Sequence, residues 1–110
     1  MSSILNDVKH MLGHTEDDHA FDSDIIIFIN GVFGTLTQLG VGPAIGYQIT
    51  SANNEWSEFT TDARLNAVKS YIFLVTKMQF NPPDTGFVLN AMNEQKKEME
   101  FRLNVVADYG

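Results

Sequence analysis

The sequence predicts an all-α fold: a small four-helix domain with one long connection between the second and third helices. Three observations carry that prediction. Apolar residues recur at three- and four-residue spacing in four separate segments. Ser, Asp or Thr precedes each segment in a capping position. Glycine or proline stops the first three.

The first helix runs from about Ser3 to Leu12, with Ile4, Leu5, Val8, Met11 and Leu12 at helical spacing and Gly13 at its end. A polar connection, "HTEDDHAFDSD", follows. Asp22 or Ser23 caps the second helix, and Asp24 sits in its first turn, where the positive end of the helix dipole favours an acid. That helix reaches about Gln38, and Gly40 stops it. The next stretch, "GVGPAIGYQITSANNEWSEFT", holds too many glycines, a proline and an Asn pair for a helix. "YQIT" reads as a short strand that would form a hairpin with "EWSEF". About 20 residues is long for a connection, and loops of that length are usually functional or mobile. The third helix begins after Thr60 or Thr61, with Asp62 in its first turn, and ends at the Pro82–Pro83 pair. Asp84 or Thr85 caps the fourth, which runs to about Val105. Its exposed face is supported by Lys96–Glu100 and Glu98–Arg102 at i,i+4. Residues 1–104 thus form the helical domain and residues 105–110 a tail.

The helix faces carry a surplus of apolar residues. On the second helix Ile25, Ile29, Val32, Leu36 and Leu39 form the core stripe, flanked by Phe28 and Phe33. Ile26 and Ile27 lie off it, on the side shared with Asn30, Gly31, Gly34 and Gln38. Glycines there cost roughly 1 kcal/mol each against Ala; in return they admit close approach of another chain. Ile26, Ile27, Asn30 and Gly34 are therefore candidate subunit contacts. On the third helix Leu65, Val68, Ile72 and Val75 make one stripe and Ala67, Tyr71, Leu74 and Met78 a second. Such a helix is sandwiched: either it is the central helix of the domain, or Tyr71 and Met78 face a neighbour.

Composition narrows the function. The 110 residues suffice for one domain, and 44% hydrophobic content excludes global disorder. A net charge of −7 with seven basic residues disfavours gripping a phosphate backbone. Without cysteine there are no disulfides, thiolate catalysis or cysteine-based zinc sites. "MSSILNDVKH" carries an Asp and no cleavage site, unlike a secretory signal. The run from Ile25 breaks at Asn30, short of the roughly 20 apolar residues of a membrane span.

Chemical motifs are weak. His10 and His14 have the spacing of a helical metal pair, but one pair does not fill a coordination sphere, so they read as solvated surface histidines. "DDHAFDSD" lacks the glycine of a calcium loop. "GVGPAIG" has the wrong spacing for a phosphate loop, follows a helix and contains Pro43. No Ser or Thr sits in a nucleophile setting. The sole tryptophan, Trp56, either plugs the long loop onto the domain or meets a partner. Neither catalysis nor a cofactor is expected.

"ILNDVKHMLG", "AFDSDIIIFINGVFGTLTQLGVGP", "RLNAVKSYIFLVTKMQFNPP" and "FVLNAMNEQKKEMEFRLN", in that order and spacing, resemble the head–tail connector (adaptor) family of tailed bacteriophages. The resemblance covers almost the whole chain, and residues 44–60 match least well. It implies a structural virion protein of the head–tail interface, assembled in the host cytoplasm. About twelve copies would form a ring below the portal protein, extend the DNA channel and receive a stopper or tail-completion protein. It also implies portal contact through the C-terminal segment, with Phe101, Arg102, Val105, Val106 and Tyr109. The long loop, with Tyr47, Ile49, Trp56 and Phe59, would face the tail. An acidic channel wall would repel DNA weakly and evenly, letting it slide without specific binding. The alternative is a small acidic regulator binding one protein as a monomer or dimer. A helix-turn-helix DNA binder would need a basic recognition helix, which no segment supplies.

Overall fold

Ser3 opens the first helix, α1 (Ile4–Met11): its Oγ accepts the Asn6 amide at 3.3 Å, as an N-cap does. The same hydroxyl donates to the carbonyl of Ala52 at 2.7 Å, and the Ile4 amide donates to Asn54 O at 3.1 Å. The start of α1 is thereby tied to the middle of the long connection. These contacts come from a computed structural model of the chain, which describes residues 3–43, 45–59 and 65–109.

Helix α2 (Asp22–Gln38) departs from expectation at its start. Phe21 occupies the cap position and makes no side-chain cap bond. Asp22 instead lies in the first turn and pairs with Lys9 Nζ at 2.9 Å and His19 Nδ1 at 2.8 Å. The end of α2 follows the expected chemistry. Gly40, at φ 82°, donates to Thr37 O at 3.0 Å, and the Val41 amide donates to Leu36 O at 2.9 Å, satisfying carbonyls of the last turn.

The long connection contains a helix of its own. Trp56–Phe59 form a single turn, α3, so the described residues hold five helices where four were expected. The expected hairpin does not form, and no strand occurs among the described residues. An isolated antiparallel bridge joins Ser3 to Glu55. Asn30 explains the missing strand pairing. Its Nδ2 donates to Ile49 O at 3.0 Å and its Oδ1 accepts the Ile49 amide at 2.8 Å, so a side chain on α2 takes both backbone groups that a partner strand would use.

Helices α4 (Leu65–Phe80) and α5 (Gly86–Tyr109) complete the fold. Thr85 caps α5, accepting the Val88 amide at 3.3 Å. The expected starting residues of α4, Thr60, Thr61 and Asp62, lie outside the described residues. Helix α5 does not end near Val105 but runs on to Tyr109. Neither glycine nor proline interrupts residues 87–109, so nothing there breaks the helix.

The core gathers Ile4, Leu5 and Val8 of α1, Ile25, Ile29, Val32, Phe33 and Leu36 of α2, and Val68, Tyr71, Ile72 and Val75 of α4. Val41, Ile49, Trp56 and Phe59 come from the connection, and Leu103 from α5. The stripe read on α2 is the buried one, with Leu39 half-buried at its end. Helix α4 packs against α1, α2 and α5 and is the central helix. Each fully buried aliphatic side chain contributes about 1.5–3 kcal/mol.

Candidate interaction surfaces

Ile27, Gly31, Gly34 and Gln38 succeed one another at four, three and four residues and so share one face of α2. All four are exposed, Ile27 to 66%. A methyl group added at Gly31 or Gly34 would meet nothing within 4 Å. The face is therefore smooth and open to a neighbour. Beside it runs an open groove of about 570 Å³, bounded by Asn30, Gly34, Thr37, Gln38 and residues 45–48. Ile45, at its rim, is 99% exposed.

The other candidate subunit contacts have work inside the chain. Ile26 is half-buried and packs against the core. Asn30 holds Ile49, as described. Tyr71 is 1% exposed and belongs to the core, because α4 is central and has a partner on that side. Its hydroxyl donates to Glu100 Oε2 at 2.6 Å, bracing α4 to α5. Burial, and next that carboxylate, hold the phenol well above its ordinary pKa. Met78 is half-buried.

The connection is closed rather than open. Trp56 is buried, its Nε1 donates to Asp7 Oδ2 at 2.7 Å, and its ring meets Phe73 edge-on at 6.1 Å. Lys69 Nζ lies 5.2 Å from the indole centroid. Of the two readings of Trp56, the plug is the one observed. Phe33, Tyr47 and Phe59 form an aromatic triad with centroids 4.9–5.7 Å apart. Gly42 passes so close to that triad that a Cβ would stand 2.4 Å from Phe59 Cε1, and its φ of 89° also suits only glycine. The Tyr47 hydroxyl donates to Glu58 Oε1 at 3.0 Å. Burial, then this carboxylate, push the phenol up to about 12. Hydrogen bonds from the Asn54 side chain, the Glu55 amide and Tyr47 hold the Glu58 carboxyl below its ordinary value. Ile49, Trp56 and Phe59 thus anchor the connection, and Tyr47 remains half-buried.

A surface that periodicity did not reveal lies on α5. From Gly86 to Glu98 no residue is buried. Phe87 is 84% exposed, and Val88 and Leu89 are exposed beside it. Phe87, Glu94 and Phe101, spaced by seven, line the outer face of the helix. Toward the C-terminus Phe101 is exposed, Arg102 pairs with Glu98, and Val105 is half-buried. The side chains of Val106 and Tyr109 lie outside the described ones.

Three histidines and their acids cluster between α1 and α2. His14 Nδ1 stands 3.1 Å from Asp18, and His10 Nε2 stands 3.7 Å from Glu16. His14 is not a solvated histidine: its ring packs edge-on against Phe21 at 5.7 Å and Phe80 at 5.6 Å. Lys9 is buried, held by Asp22 and by Glu16 O at 3.1 Å. The Asp18 carboxyl is lowered first by its bond to His14. At Asp22 burial opposes the charge, but the bonds from Lys9 and His19 prevail and lower it. Among the described residues no three His, Asp or Glu side chains gather as a metal site, and no helix is long and apolar enough to cross a membrane.

A family model described as phage connector protein matches residues 4–110. No curated protein and no solved structure matches the chain.

Proposed function

The chain belongs to the phage connector family, and on that premise we propose that it is a non-enzymatic ring subunit of the virion neck. About twelve copies close a ring beneath the portal, extend the DNA channel and receive a stopper or tail-completion protein. The observation that carries this reading is the family match across nearly the whole chain. The surfaces support it. An exposed apolar face on α2 and another on α5 are what a subunit with neighbours on two sides presents. The net charge of −7 gives each subunit an acidic character that does not hold DNA by counterion release. The C-terminal half of α5, with Phe101, Arg102 and Val105, is the portal-facing segment in this reading. The tail-facing side is the rim of the connection at Ile45 and Tyr47; the buried Ile49, Trp56 and Phe59 hold that rim in place.

Native mass spectrometry of the protein mixed with purified portal rings tests the proposal. The expected result is a portal carrying a full complement of subunits with no intermediate loading. A portal that stays undecorated while the protein remains monomeric or dimeric would favour the small acidic regulator instead.

A further inference from the structure

The chain leaves two unlike apolar surfaces uncovered on the two helices that flank α4. One is the smooth face of α2, with Ile27 beside Gly31 and Gly34. The other is the first turns of α5, with Phe87, Val88 and Leu89. We infer that these two surfaces are complementary, so that the start of α5 in one copy of this chain docks on the outer face of α2 in the next. The inference rests on the ring reading and deepens it by naming the contact.

Three observations favour a second copy as the occupant. First, the two patches differ in shape: one is a bulky knob led by an aromatic ring, the other a helix face stripped of side chains at two successive turns. A contact between unlike patches hides both at once, whereas pairing like with like would set knob on knob or leave the glycine face unfilled. Second, the charges are segregated in the matching sense. Six of the seven basic residues fall between residues 64 and 102, while nine of the 14 acidic residues precede residue 63. The one basic residue of the first part, Lys9, is buried in its pair with Asp22. Asp24 is exposed one turn before Ile27, and Lys77 is exposed in the last turn of α4, which leads into the start of α5. A head-to-tail contact sets the exposed Asp24 of one copy against the Lys77 end of α4 in the next. Third, helices α2 and α5 approach at their C-terminal ends, where Asn104 Nδ2 donates to Leu39 O at 3.3 Å. The start of α5, by contrast, contributes no residue to the core among the described residues.

The native chain contains no cysteine, so introduced thiols are unique reporters. Ile27→Cys and Phe87→Cys are made as separate single variants, each checked for folding by circular dichroism, and treated with a short bifunctional thiol cross-linker. The treatment is carried out in solution at high concentration and on portal rings. Cross-linked dimers are expected from the mixture of the two variants and not from either alone, and adding Leu89→Asp to the Phe87→Cys chain should abolish them. Dimers from either variant alone, or none from the mixture, would overturn the contact. Portal binding of the unmodified protein is scored separately. A full ring without the mixed cross-link would sink the contact and leave the ring reading standing. The mixed cross-link without portal binding would keep the contact and sink the reading.

Discussion

The connection between α2 and α4 and the first half of α5 invert the usual relation between regularity and burial. The connection, rich in glycine and asparagine, sends Val41, Ile49, Trp56 and Phe59 into the core. Residues 86–98 form unbroken helix and send none. Backbone regularity says how local hydrogen bonds are satisfied, whereas burial depends on what lies opposite. The connection has α1 and α2 opposite it and is held by Asn30, Ser3 and Asp7. Among the described residues the start of α5 contributes nothing to the core, so its apolar side chains Phe87, Val88 and Leu89 stay exposed.

The largest test of this contrast compares two aromatic truncations. Trp56→Ala should cost about 3–5 kcal/mol, because it empties a buried site and strands Asp7. Phe87→Ala should stay within about 0.5 kcal/mol, as exposed substitutions do. Urea midpoints of the isolated protein would show the difference, and comparable losses would break it. Next in size is the pair that joins α1 to α2. Asp22→Ala strands the buried Lys9 and should cost about 3 kcal/mol, whereas replacing both partners, Asp22→Ala with Lys9→Met, should cost much less. The Asp22 carboxyl is lowered in the folded chain, so its contribution is complete above the ordinary Asp value of 3.8 and disappears as pH falls through the lowered one. The gap between wild type and Asp22→Ala in thermal melts should therefore close in acid; a gap that widened there would contradict the pairing.

A smaller effect sharpens the comparison through glycines. Gly42→Ala should cost about 2 kcal/mol from its positive φ and the contact with Phe59. Gly34→Ala should raise stability by up to about 1 kcal/mol, since the helix interior disfavours glycine and the space is open. If a neighbour docks on the α2 face as proposed, that gain should come with weaker ring assembly on portal, because the added methyl roughens the face. Smallest is Thr76→Val, which removes a buried hydroxyl without a partner among the described residues and should stabilise by about 1 kcal/mol in calorimetry.

Much of the fold was legible in the sequence for local reasons. Ser3, Gly13, Gly40, the Pro82–Pro83 pair and Thr85 mark helix ends, and the stripe from Ile25 to Leu36 marks the core face of α2. What was not legible required knowledge of tertiary neighbours. Asn30 sits on the face of Ile27 and Gly34 and reads as a surface residue, but the connection folds back over it. Tyr71 reads as a second apolar stripe, but α5 covers it. Trp56 and Phe59 follow the glycines and the Asn53–Asn54 pair of the connection, so no periodicity announces them as core. The exposed start of α5 was hidden by the reverse effect: Phe87, Val88 and Leu89 open an ordinary helical segment, and nothing local says that they stay outside the core. One signal was available. Asn30 is the polar residue that ends a five-residue apolar run, and its half-buried amide has backbone to serve.

Hydrogen exchange of the free protein and of the protein assembled on portal addresses the central claim directly. In the free chain the amides of residues 86–92 should exchange by local opening, well before that of Ile49, which is bonded to Asn30 Oδ1 under the closed connection. On portal, residues 86–92 and the α2 face around Ile27 should become protected together. Strong protection of residues 86–92 in the free chain, or none gained there on assembly, would contradict the account.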